Sequence, residues 1–368
     1  LKREILKIET ASCKSEVINF SLQLSAFGFS KRILASFLIV ILSTVNYKDV
    51  FSQDIHFSQF MQSPLNLNPA QTGNFKGSYR FAGNFRRQWS SVTIPYQTFG
   101  VSAESRDIAR IKNTNAGLSV YQDKTGDSHF STLQINLALS QRFNLKKDRS
   151  EFFLIGIQSG ITQRRIDYSN LSYDNQYNGF YYDPSLPNNE IFQNDGRIYL
   201  NLNSGINWVK HFEKRKNISA GIALFNINKP PQSFFGQSNI TLDRRLSFNI
   251  AGQYKIADKW DLLPAALFMA QGTFREFIIG SSVKYIIQDS KTEYRAIYAG
   301  GWARTRDAGF VSVGVDYNEW FVGLSYDINL SNLRPASHGR GGFELSIIYI
   351  VGERLPKRIK YKVCPEFL

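Results

Sequence analysis

"GRIYLNLNSGINWVKH", residues 196–211, decides the fold. Ile198, Leu200, Leu202, Ile206 and Trp208 fall on one parity, and Asn201, Asn203, Gly205 and Asn207 on the other. Side chains alternate faces along a β-strand, so this stretch carries one greasy face and one wet face. "STLQINLALSQRF" (131–143), "RRLSFNIAGQYKI" (244–256) and "EWFVGLSYDIN" (319–329) repeat the pattern. Two architectures alternate in this way: a soluble sandwich, whose greasy faces meet in a core, and a barrel, whose greasy faces meet lipid.

Run length separates the two. The alternating runs are about 10 to 14 residues, against the five or six usual in globular sheets, and are long enough to cross a bilayer at a tilt. Aromatic residues stand at their ends, namely Tyr79, Trp89, Tyr121, Tyr254, Trp260, Tyr317 and Trp320. That is where rings gather at a membrane interface. A polar inner face is costly inside a sandwich and tolerable around a water-filled lumen. Fourteen such runs lie between residues 77 and 351, an even number that suits a closed antiparallel transmembrane β-barrel. Short joins such as "NLKKDR", "HFEKRK", "IADK" and "DYNE" alternate with longer ones, including the Tyr-rich residues 165–195 and "NKPPQSFFGQSNITL". The longer set marks the cell exterior.

An export signal precedes the barrel. Lys31 and Arg32 lead into an apolar run from Ile33 to Val45, followed by polar residues and small Ser52. The run is too short to span a bilayer, so residues 1–52 read as a signal peptide with an upstream extension, cleaved after Ser52. The formal net charge of +14 falls to about +11 without them. That excess is not gathered into a nucleic-acid-binding cluster, so no nucleic acid is expected. Cys13 leaves with the signal and Cys364 stands alone, so stability must come from backbone pairing and burial.

Catalytic chemistry is sparse. The histidines are His56, His129, His211 and His338, and a hydrolase needs one placed between a nucleophile and a carboxylate. Gly126, Asp127, Ser128 and His129 superficially match a lipase motif, but adjacent Ser and His in a hairpin point to opposite faces, so a polar turn is the simpler reading. Asp183, Glu190 and Asp195 share a loop without the spacing of calcium ligands. No enzyme, cofactor, metal or small-molecule substrate is expected.

"DIHFSQFMQSPLNLNPAQTGNFKGSYRFAGNFRRQWSSV" (54–92) resembles the opening of the PorP/SprF family, outer-membrane proteins of the type IX secretion and gliding-motility apparatus of Bacteroidetes. The resemblance continues through "GDSHFSTLQINLALS", "RRLSFNIAGQYKIADKWDLLPAALFMAQG" and "VGLSYDINLSNLRPASHGRGGFELSIIYI" to the closing "VCPEFL". Two departures stand out: Glu366 replaces an expected arginine, and residues 1–30 have no counterpart. The resemblance implies a non-enzymatic barrel in the cell outer membrane that helps secrete or anchor an adhesin-like cargo protein and couples to periplasmic components of the machine. The alternative is a diffusive porin or small-molecule transporter, which needs an open lumen.

Four regions follow: residues 1–52, a plug-like segment 53–76, the barrel 77–351 and a periplasmic tail 352–368. The segment's Phe57, Phe60, Met61, Leu65 and Leu67 need burial, while Pro64 and Pro69, beside Asn68, prevent a long helix. It is therefore expected in the lumen or against the barrel base. Cargo recognition is expected in the outer loops at Phe180, Tyr181, Tyr182, Phe234 and Phe235. Arginine at Leu202 or Leu324 should cost about 2 to 4 kcal/mol on the lipid face, and arginine at Asn203 or Ser325 should be mild.

Overall fold

In the computed structural model, residues 54–352 are described, except for 89–93, 127, 188–193, 237–239, 291–292, 306 and 331–339. The signal region, Trp89, Glu190, His338 and the tail beyond Gly352 lie outside them. Strands β1 (Tyr79–Gln88), β2 (Tyr96–Ser105), β3 (Thr114–Thr125), β4 (Phe130–Asn144), β5 (Glu151–Arg165), β6 (Gly196–Glu213) and β7 (Lys216–Phe225) form the first half. The second comprises β8 (Arg245–Lys255), β9 (Trp260–Gln271), β10 (Phe274–Asp289), β11 (Tyr294–Arg304), β12 (Ala308–Tyr317), β13 (Trp320–Asn329) and β14 (Arg340–Val351). Each strand pairs antiparallel with its sequence neighbours, and β14 closes on β1 with Phe85 opposite Leu345. Closure leaves no unpaired edge, the condition for a sheet to stand in hydrocarbon.

The greasy parity faces outward. In β6, Leu200, Leu202 and Ile206 are exposed while Asn201, Asn203 and Asn207 are buried. Leu324 and Ser325 divide in the same way in β13. Tyr79, Tyr254, Trp260, Tyr317 and Trp320 stand exposed near the inner ends of their strands, as interfacial rings do. Tyr121 is different: it points inward, is only 2% exposed, and packs against Phe57.

Connections at the inner end are short: 106–113, 145–150, 214–215, 256–259, 290–293 and 318–319. The outer end carries the longest ones, 166–195 and 226–244, beside the tight turns 126–129, 272–273 and 305–307. The lipase-like stretch is one of these turns, with positive φ at Gly126 and His129 and the His129 N–H donating to the Gly126 carbonyl. Long-loop and short-turn ends define outside and inside.

The lumen differs from a water-lined channel. Residues 54–74 thread it from the outer to the inner end, as short helical turns at Phe60–Gln62, Pro64–Leu67 and Pro69–Gln71 separated by irregular chain. The wet parity is therefore buried against this segment. Asn203, for example, donates to Gln158, which itself donates to the segment's Leu65 carbonyl, and accepts from the Asn226 N–H. Arginine there is consequently not mild, because it must displace packed neighbours rather than enter water.

Candidate functional site

The lumen segment is held at three depths. At the outer end, Asp54 accepts from the Asn226 amide at 2.8 Å and lies 3.9 Å from Arg245. The Ser58 and Gln59 N–H groups donate to the two carboxylate oxygens of Glu344, each at 2.8 Å. The Ser58 hydroxyl bonds Asp327 and accepts from Arg304. Arg86 donates to the His56 carbonyl and to Asp327, and Arg304 also reaches Asp327. Arg86, Arg304, Arg245, Asp54, Asp327 and Glu344 each have a partner of opposite sign, which makes their burial tolerable. His56 sits among these cations with Glu276 3.6 Å from its ring. Burial first, then Arg86 and Arg304, hold its imidazole down at about 3, in the neutral form.

Midway, apolar residues take over. Phe60 and Leu67 enter a cluster with Ala265, Leu267, Met269, Ile278 and Phe310, and Phe60 meets the Trp302 ring edge-on. Phe57 and Leu65 are each 1% exposed. Below them the backbone itself seats on the wall. Gly156 of β5 abuts the peptide between Pro69 and Ala70, where a Cβ would collide. The Asn68 side chain spans β6 and β7, donating to the Ile206 and Ile222 carbonyls and accepting from the Ala70 N–H.

At the inner end, Ser140 and Asn115 donate to the Thr72 carbonyl. The Gly73 N–H donates to Glu104 at 2.9 Å, and Arg80 grips the same carboxylate through two bonds of 2.7 and 2.8 Å. Phe57, Phe60, Leu65, Leu67, Asn68 and Pro69 are thus all buried, as burial demand requires. Met61 is the exception at 37% exposed. It borders an unfilled chamber of about 270 Å³ beside Trp302, Phe321 and Ile348, so its side chain meets space rather than wall.

The outer loops present the predicted aromatics unevenly. Phe180 is 90% exposed, Tyr181 63% and Tyr182 45%. Their backbone is ordered from within: the Asn178 side chain accepts from the Phe180 and Tyr181 N–H groups, and Tyr177 bridges to Tyr182. Phe235 is exposed, whereas Phe234 is half-buried against the Phe130 ring. The Asn194 amide donates to the Phe234 carbonyl at 2.9 Å, so the two long loops touch. Asp183 and Asp195 engage Ser185 and Arg165 respectively. Among the described residues no group of three metal-ligating side chains occurs.

Residues 49–349 match the family described as the type IX secretion system membrane protein PorP/SprF. The chain belongs to the PorP/SprF family. No curated protein sequence matches it. Among solved structures it is similar to the Pseudomonas putida toluene transporter TodX, with a TM-score of 0.47 and 9% identity over 81% of this chain and 94% of that one. The CymD monoaromatic hydrocarbon channel gives 0.43 and 9% over 79% and 93%. BamA from Haemophilus ducreyi lacking POTRA domains 1–3 gives 0.36 and 8% over 74% and 70%. As a PorP/SprF barrel with an apolar outer belt, the protein is an outer-membrane component of a secretion system and works with other components of it.

The charged outer-end cluster was missed in the sequence, although its signal is there. Arg86, Glu276, Arg304, Asp327 and Glu344 all lie on inward parities of their strands. Charges facing a lumen in both signs ask for a partner inside it.

Proposed function

We propose that this PorP/SprF protein holds an adhesin-like secreted cargo at the cell surface, with its outer loops as the recognition surface and residues 54–74 as a resident plug. The observation that carries the reading is the pairing of a filled lumen with ordered, solvent-facing rings at Phe180, Tyr181 and Tyr182. A filled lumen argues against solute passage, and burying a large ring costs little side-chain entropy when it docks on a partner. Periplasmic components of the secretion apparatus would meet the inner end, and gliding motility is the process such anchoring would serve in an organism that glides.

The test is the triple substitution Phe180→Ser, Tyr181→Ser and Tyr182→Ser. Expected is a barrel that inserts normally, verified by heat-modifiable mobility and blot, with reduced retention of its adhesin on the cell surface. Normal adhesin display at equal barrel levels would move recognition to the lumen or to residues 353–368. Purified protein in a planar bilayer should be silent, and steady conductance would favour a porin.

A further inference from the structure

The inner ends of the strands are electrically lopsided. The turns 106–113 and 145–150 and residues 213–216 contain nine Lys/Arg against three Asp/Glu, whereas 256–259, 290–293 and 318–319 contain two against three. Two of the basic side chains of the first half lie on the lipid-facing parity, at the lower margin of the apolar belt. Lys210 stands between Trp208 and Phe212 on the outward face of β6, with its ammonium 5.2 Å from the Phe212 ring centre. Lys216 occupies the outward face of β7, 5.4 Å from the ring of Tyr254 on β8. Beside them, Glu151 of β5 serves both Lys210 and Lys146, each at 3.7 Å, and also accepts from the Trp208 indole at 3.2 Å. One carboxylate shared by two ammonium groups leaves positive charge uncompensated.

Depth identifies what meets that charge. The rings of Trp208 and Tyr254 mark the interface, and lysines one residue or turn beyond such rings lie at the level of lipid phosphates. A soluble acidic protein would approach along the barrel axis, towards turn tips; Lys214 and Arg215 at the tip are already engaged by Asp289 and Asp261. Lys210 and Lys216 instead face sideways, into the leaflet.

We propose that the inner-leaflet edge of β5 to β8 binds the phosphate of an anionic glycerophospholipid through Lys210 and Lys216, with Trp208 and Tyr254 flanking the glycerol region. The site belongs to the periplasmic leaflet and is independent of the cargo reading. It would fix the depth and rotational environment of one side of the barrel, the side away from the aromatic pair Trp320 and Tyr349.

The experiment places the full-length protein in nanodiscs of mixed phosphatidylcholine and phosphatidylglycerol and reads retained lipid by native mass spectrometry. Expected is enrichment of phosphatidylglycerol that falls roughly 5-fold per lysine removed, about 25-fold in the Lys210→Gln/Lys216→Gln variant. The Lys210→Arg/Lys216→Arg variant should keep it, and Arg295→Gln, on the outward face of β11 and paired with Glu293, should not change it. Should the glutamine variant fail to insert, raising salt on the wild-type protein reads the same contact, since screening must erase the enrichment. Unchanged enrichment in the glutamine variant or at high salt overturns the proposal. Displacement of the lipid by inorganic phosphate at matched concentration would overturn it in favour of a free-anion site. Loss of a periplasmic component on co-purification, with lipid retention intact, would overturn it in favour of a protein surface.

Discussion

Gly156→Ala is the sharpest test of how the lumen segment is seated. A methyl group added at Gly156 would sit 2.5 Å from the Pro69 carbonyl oxygen, with nearby backbone atoms of Pro69 and Ala70 closer still. Ordinary contact begins at 3.4 Å, so the segment or the wall must retreat by roughly 1 Å. The obstructing atoms are backbone on both sides, so no rotamer change relieves the clash. Overpacking of this kind costs about 1 to 3 kcal/mol. Because β5 is locked on both edges by β4 and β6, the retreat falls on the segment, and its open population rises by roughly 5- to 150-fold. Amide hydrogen exchange across residues 58–72, followed by mass spectrometry in detergent or nanodiscs, reads that ratio directly. Gly83→Ala is the matched control, since Gly83 faces outward and a methyl there meets nothing within 4 Å. Exchange within twofold of wild type in Gly156→Ala, or an equal rise in Gly83→Ala, would refute the reasoning.

Further outcomes follow from the same geometry. Leu324→Arg should destabilise the barrel by about 2 to 4 kcal/mol in lipid, read as denaturant-dependent loss of heat-modifiable mobility, while Leu324→Phe should be nearly neutral. The His56 imidazole is held at about 3 against an ordinary 6.5, so the neutral form is the one that fits. Its contribution is fully present above pH 6.5 and declines as pH falls towards 3, so the segment's protection, with exchange referred to the intrinsic amide rate at each pH, should be lower at pH 4.5 than at 7, and His56→Gln should blunt that loss. Removal of residues 357–368 should leave membrane insertion intact, because β14 ends at Val351 and closes on β1 without them; failure of insertion in pulse-labelled cells would show that the tail is needed for assembly.

Strand number, closure and the outward parity were legible because lipid imposes a simple rule: one face of every strand must be apolar. What was not legible arises where the inside breaks that rule's mirror image. β9, "WDLLPAALFMAQ", presents Ala265, Leu267 and Met269 to the lumen and Ala266 and Phe268 to the outside, so it is apolar on both faces and its alternation vanishes. Its inner face is apolar because Phe60 packs there, a fact belonging to a residue some two hundred positions earlier. Tyr121 misled for a related reason. Phenol rings suit both an interface and a lumen, and only Phe57 across the barrel decides between them. The need for burial in residues 54–74 was readable from Phe57, Phe60, Leu65 and Leu67, but the path up the lumen was not, since short turns and irregular chain carry no periodicity.

That irregularity explains the chemistry of the inner wall. A helix or strand satisfies its own backbone, but this segment makes only single turns, so many of its N–H and C=O groups have no partner within it. The wall supplies them from side chains: Glu344 for the Ser58 and Gln59 N–H groups, Arg86 for the His56 carbonyl, Gln158 for Leu65, Arg245 for Asn66 and Ile55, Ser247 for Leu67, and Arg80 for Gln71. Carboxylates meet N–H groups and guanidinium groups meet carbonyls, the matching that makes such bonds strong. The polar parity that first reads as the lining of a wet channel is therefore a mould for an irregular peptide. A wall built this way binds backbone more than side chains, at sites spaced along the whole barrel height. Any chain segment competing for the lumen must replace those bonds along its entire length, whereas one that engages the outer loops need displace nothing. The cargo recognition proposed at the exposed rings of Phe180, Tyr181 and Tyr182 would for that reason be the route with the smaller energetic demand.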